Sequence, residues 1–130
     1  MKLSTRSRYG LKALYELVKT PDTPIPIKAI ANRQDISEAY LEQLFSLLKK
    51  ANIVKSVRGS QGGYFLSEKA EDISIKSVLT ALEGSTNIAE CLHDYECDQN
   101  CDCASRTIFV EIQNSIDNVL EKLSLKDMIK

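Results

Sequence analysis

Apolar side chains recur at helical spacing over residues 6–19 (RSRYGLKALYELVK), where Leu11, Leu14, Tyr15 and Val18 share one side. Pro21, Pro24 and Pro26 then exclude helix and make a stiff connection. A short helix is predicted over 27–34 with Ile27, Ile30 and Ala31 inward, closed by a tight turn at Asp35–Ile36. Ser37 is placed to cap a further helix over 38–50, because its hydroxyl can accept a hydrogen bond from an unpaired N–H of the first turn. Leu41, Leu44, Phe45 and Leu48 of that helix face the core, and Lys49 and Lys50 suit the negative end of its dipole.

The period then changes. Residues 53–57 (IVKSV) and 64–66 (YFL) read as two strands around the glycine-rich turn 58–63 (RGSQGG), which makes a β-hairpin. A short helix follows over 74–83, capped by Ser74 and ended by Gly84, and then a polar stretch reaches residue 103. Residues 104–123 form a long amphipathic helix with the stripe Ile108, Ile112, Ile116, Val119 and Leu123, flanked by Phe109 and Leu120.

Two helices joined by a tight turn, with a hairpin directly after, fit a winged helix-turn-helix. The expected fold is mainly α, a winged helix-turn-helix DNA-binding domain over 1–83. A cysteine-rich loop over 84–103 follows, then the long C-terminal helix and tail over 104–130. In such a unit the second helix enters the major groove with its first residues nearest the base edges. Those residues are Ser37, Glu38, Ala39, Tyr40, Glu42 and Gln43. Gln can pair with adenine, Glu can accept from cytosine N4, and a small side chain can meet a thymine methyl. Arg58 at the hairpin tip, with Gly59 and Gln61 beside it, can reach a minor groove. Ser4, Arg6 and Arg8 are candidate phosphate contacts.

A net charge of −1 over 130 residues argues mildly against nucleic acid until its distribution is read. Residues 1–69 carry 12 Lys and Arg against 6 Asp and Glu, a net of +6, and residues 70–130 carry 5 against 12, a net of −7. The basic half can face phosphates while the acidic half stays away. The opening MKLSTRSRYG lacks the apolar centre of a secretory signal, and no apolar run approaches membrane-spanning length. A cytoplasmic protein with no membrane partner is therefore expected.

All four cysteines, Cys91, Cys97, Cys101 and Cys103, fall within thirteen positions. In a reducing compartment such a cluster reads as metal-binding or catalytic rather than as a structural disulfide. The spacing C-x5-C-x3-C-x-C suits a structural zinc site poorly, since only Cys97 and Cys101 stand at a usual zinc separation. Iron–sulfur clusters also need thiolates and accept looser spacings. Glu90, Asp94, Glu96, Asp98 and Asp102 make the same stretch acidic, so a bound cation would offset the charge of gathered thiolates. His93 is a further candidate ligand. Zinc and a thiol–disulfide switch remain open beside the cluster. An enzyme is not expected: there is no Cys-x-x-Cys, no glycine-rich phosphate loop, and one histidine for acid–base work.

The stretches MKLSTRSRYGLKAL and YLEQLFSLLKKANIVKSVRGSQGGYFLS, together with the cysteine segment, resemble the Rrf2 family of bacterial regulators over nearly the whole chain. The resemblance implies a homodimer whose long helices, here 104–123, cross each other. It also implies a recognition helix at 38–50, a wing arginine at Arg58 and a double-stranded DNA operator, with no small-molecule substrate. Cys91, Cys97 and Cys103 match the C-x5-C-x5-C of the IscR-like, iron–sulfur branch. Resemblance to that branch favours a [2Fe–2S] over a [4Fe–4S] cluster and a regulator, in the first instance a repressor, of iron–sulfur, redox or nitric-oxide status. Arg106 stands where that branch has a ligating histidine, and Arg8 where a nitric-oxide-sensing branch has an aspartate. The fourth ligand is thereby left to Cys101 first and His93 second. A third branch, CymR-like, carries no cluster.

Overall fold

The computed structural model describes residues 3–89 and 104–129. Helix α1 (Thr5–Lys19) is capped by Ser4, whose hydroxyl accepts from the Arg6 N–H at 3.2 Å. Its buried side runs through Ala13, Leu14, Leu17 and Val18. Leu11 and Tyr15 lie half-buried at the edge of that side. Helix α2 (Ile27–Gln34) ends at Asp35, which takes the left-handed conformation with φ 54°, and Ile36 N–H donates back to the Ala31 carbonyl at 3.1 Å. Asp tolerates that conformation better than most residues, which makes the tight turn affordable without glycine. Helix α3 (Glu38–Lys50) starts from Ser37, whose hydroxyl accepts from the Tyr40 N–H at 3.2 Å. Leu41, Leu44, Phe45 and Leu48 are buried, as their spacing predicts.

Strands β1 (Val54–Val57) and β2 (Gly63–Leu66) pair antiparallel, with Val54 opposite Leu66 and Val57 opposite Gly63. The proline-rich connection adds a third short line to this sheet. Ile25 N–H donates to the Tyr64 carbonyl at 2.9 Å, and Tyr64 N–H to the Ile25 carbonyl at 2.8 Å. Gly63 makes this approach possible: its φ is +148°, and a Cβ there would overlap the Ile25 backbone. Behind the sheet, the Tyr64 ring stacks on Phe45 with centroids 4.5 Å apart, which fastens the wing to α3.

Helix α4 (Ile75–Glu83) buries Val78, Leu79 and Leu82 and ends at Gly84, with φ 85°. Helix α5 (Ala104–Lys122) packs on α4 through a narrow face in which Gln113 and Leu120 are buried. The stripe on its other side is in solvent: Ile108 is 60% exposed, Ile112 45%, Val119 55% and Leu123 38%. The chain then folds back. Leu123 C=O accepts from Ile75 N–H at 2.8 Å, Leu125 N–H donates to the Ile73 carbonyl at 3.0 Å, and Leu125 is fully buried against the core. A short 3₁₀ turn, Leu125–Met128, seats this tail on α1. Among the described residues, no helix is long and apolar enough to cross a membrane.

Candidate nucleic-acid interface

Three elements that present exposed side chains are joined directly to one another. At the start of α3, Ser37, Glu38, Ala39, Glu42 and Gln43 are exposed, and Tyr40 is half-buried. The Tyr40 hydroxyl lies 3.2 Å from the Thr5 hydroxyl, and its ring meets Tyr9 edge-on at 5.9 Å, so the first turns of α1 and α3 are bound together. At the other end of α3, Lys49 Nζ donates to the Ser56 hydroxyl of β1 at 2.8 Å. The wing beyond it carries exposed Arg58, Gly59 and Gln61, with the turn closed by Gly62 N–H donating to the Gly59 carbonyl at 3.0 Å. The side chains named from the sequence on α1, α3 and the wing are thus held on one connected frame.

Not all of them are equally available. Arg8 is exposed. Arg6 is also exposed but leans toward Glu83, its guanidinium 3.9 Å from Glu83 Oε2. Ser4 is committed inward. Its N–H and its hydroxyl both donate to Glu83 Oε1, at 3.1 and 2.5 Å, and the buried Ser7 hydroxyl donates to the same oxygen at 2.6 Å. Burial alone would raise the Glu83 pKa. The three hydrogen bonds and the Arg6 charge outweigh it, so the carboxyl is held below its usual range. Sequence reading had no access to Glu83, Ser7 or Thr5. Ser4 and Ser7 lie 79 and 76 residues from Glu83, and Thr5 lies 35 from Tyr40, so no local pattern marks them.

Glu16, also buried, pairs with Lys19 Nζ at 2.6 Å and accepts from Gln34 Nε2 at 3.2 Å, joining α1 to α2. On the other side of the molecule Gln113 holds the segment 85–89. Its Oε1 accepts from Ile88 N–H at 2.8 Å, and its Nε2 donates to the Thr86 carbonyl and to Asp117, both at 3.0 Å. Lys76 of α4 bridges to Asp117 and Glu121 of α5. Its hydrogen bond to Glu121 and both acidic charges outweigh burial and raise its pKa.

The sulfur site named from the sequence (Cys91, Cys97, Cys101, Cys103 and His93) lies outside the described residues. Among the described residues, no group of three or more His, Cys, Asp or Glu is arranged to hold a metal ion.

A winged frame of this kind recurs in many regulators, and comparison with known proteins narrows it. A family model described as Rrf2, iron-dependent transcriptional regulator, matches residues 3–130. The chain belongs to the Rrf2 family. IscR of Photobacterium profundum, an HTH-type transcriptional regulator, is 35% identical over 131 residues, covering 100% of this chain and 76% of that one. CymR of Bacillus subtilis, another HTH-type transcriptional regulator, is 38% identical over 129 residues, covering 98% of this chain and 89% of its own. The structure of CymR, the global cysteine regulator of B. subtilis, superposes with a TM-score of 0.84. It is 35% identical over 98% of this chain and 95% of that one. This Rrf2 protein is a transcriptional regulator of the winged-helix type, not an enzyme, and its two-stranded wing and long C-terminal helix match those relatives.

Proposed function

We infer that this Rrf2 protein is a cytoplasmic homodimer that binds a double-stranded operator and senses iron–sulfur, redox or nitric-oxide status through its cysteines. The observation that carries the DNA reading is the connected frame of α1, α3 and the wing, with Arg8, Glu42, Gln43 and Arg58 turned to solvent. α3 supplies base readout, Arg58 reaches a minor groove, and Arg6 and Arg8 meet phosphates. The stripe Ile108, Ile112, Val119 and Leu123 supports pairing of α5 with the α5 of a second copy, since such a length of exposed apolar helix is costly in a monomer. Two copies would place two recognition helices on half-sites about one helical turn apart.

The donor chemistry of the cysteine segment fits an iron–sulfur cluster. Cys91, Cys97 and Cys103 would hold it, with Cys101 or His93 completing the set, and the [2Fe–2S] form is favoured over [4Fe–4S]. When bound, the cluster supplies reactivity toward oxidants and nitric oxide. The chain's own part is mechanical: Gln113 fixes the backbone at Thr86 and Ile88, so the segment that leads into the cysteines is tied directly to α5. A cluster held there would act on the operator through α5 and the pairing of the two copies, and holo and apo forms would then differ in operator affinity. Repression is the assigned direction of control.

A second reading has its own support. The chain covers more of CymR than of IscR, 89% against 76%, which favours a thiol-based regulator without a cluster. Zinc on the same thiols is the remaining alternative. Anaerobic purification with a visible spectrum and iron and sulfide assays decides among them. Brown protein with iron and sulfide near stoichiometric per chain is expected. A colourless, iron-free protein that resists reconstitution would sink the cluster and leave the thiol or zinc reading.

A further inference from the structure

Glu83 closes α4 one residue before the glycine that opens the cysteine-bearing segment, yet its carboxylate is turned to the start of α1, at the other end of the sequence. Oxygen Oε1 alone receives the Ser4 N–H, the Ser4 hydroxyl and the Ser7 hydroxyl, and Oε2 faces Arg6. The side chain is only 9% exposed. A carboxylate so placed satisfies a free N–H at the start of α1 and complements the positive end of its dipole. It is therefore the anchor of the first turn of α1. That turn carries Arg6 and Arg8, both exposed, and through Thr5 and Tyr9 it supports Tyr40 in the first turn of α3. A buried Leu82 against Gly10 makes the same junction from the apolar side: a Cβ on Gly10 would overlap the Leu82 methyls.

We propose that Glu83 is a positioning residue for DNA binding, which through Ser4 and Ser7 holds the first turn of α1 where Arg6 and Arg8 reach the duplex. This role rests on the DNA-binding reading above and extends it, since it makes the last residue before the cysteine-bearing segment a fixed point of the interface. Long charged side chains contribute to phosphate binding only as far as their backbone is held; a frayed helix start makes them add ordering cost on binding.

The test is a double-mutant cycle on a duplex enriched by the wild-type dimer from a random-sequence pool. One leg is Glu83→Gln, which keeps shape and one acceptor oxygen. The other is Arg6→Ala with Arg8→Ala. Glu83→Gln should weaken binding roughly 5- to 10-fold when both arginines are present and less than about 2-fold when they are absent, with the slope of log affinity against log salt falling by about 1. Ser7→Ala, which leaves the acid in place, should show the same pattern more weakly. Circular dichroism melts accompany each variant, and Ser7→Ala is the deciding variant should Glu83→Gln melt below assay temperature. Equal losses on both arginine backgrounds, or no loss on either, would overturn the role of Glu83. Failure of the wild type to enrich any duplex would overturn the DNA reading itself, and this role with it.

Discussion

Single side chains carry much of the stability that holds the interface in shape. Phe45 is fully buried and stacks on Tyr64, so Phe45→Ala should cost about 3–5 kcal/mol and free the wing from α3. Chemical denaturation would show it as a lowered midpoint; a loss well below this range would mean that the wing is held by its hydrogen bonds to Ile25 instead. Glu83 gives a pH signature. Its folded pKa is depressed, so its contribution is complete above the ordinary glutamate value of about 4.3 and is lost as pH falls through the lower folded value. Wild type should therefore exceed Glu83→Gln in stability at pH 7 by about 1–2 kcal/mol, and the gap should close in acid. Urea titrations at pH 7, 5 and 3 read this directly. A gap that persists unchanged at pH 3 would assign it to shape rather than charge.

Among the elements, the wing and α5 make the clearest demands. Arg58 sits exposed on a turn whose conformation is set by glycines, and Arg58→Ala should weaken operator binding by about 1–3 kcal/mol without lowering the melting temperature. Unchanged affinity would take the wing off the duplex. Gln113 holds both a donor and an acceptor of the 85–89 backbone. Gln113→Leu keeps the volume roughly but strands the Ile88 N–H and the Thr86 carbonyl, at about 1–3 kcal/mol for each buried polar group left unpaired. Hydrogen exchange at residues 85–89 should accelerate in this variant while exchange within α1 and α3 stays as in wild type. Acceleration within α1 and α3 as well would make Gln113 a general core residue.

At the scale of the whole molecule, the proposed dimer rests on the exposed stripe of α5. Ile112→Asp with Val119→Asp places two charges on that stripe without touching Gln113 or Leu120 on the packed side. Sedimentation should show a dimer for wild type and a monomer for the variant, with near-wild-type helix content. A variant that stays dimeric would move the interface elsewhere. Iron and sulfide content of the same preparation should be followed, because the α5 start adjoins Cys103 in sequence.

The local elements could be read from the chain because each rests on short-range physics. Ser37 and Ser74 stand where a helix needs an oxygen, Asp35 tolerates a positive φ, and Leu41, Leu44, Phe45 and Leu48 repeat with the helical period. The same holds for the hairpin and for the family, whose motifs are contiguous stretches. The tertiary structure decided what depends on residues far apart in sequence. The periodicity of α1 marks Leu14 and Val18 but not Glu16 or Ser7, whose burial goes with partners on other elements, Gln34 for Glu16 and Glu83 for Ser7. The tail beyond 123 carries too little pattern to be recognised, yet Leu125 is fully buried since β-type bonds to Ile73 bring it there. Ser4 is marked by sequence as a candidate phosphate contact, and its hydrogen bonds to Glu83, 79 residues away, belong to the folded chain alone. Periodicity fixes which side of a helix is apolar. Which apolar side meets the core and which stays in solvent is a property of the packed whole.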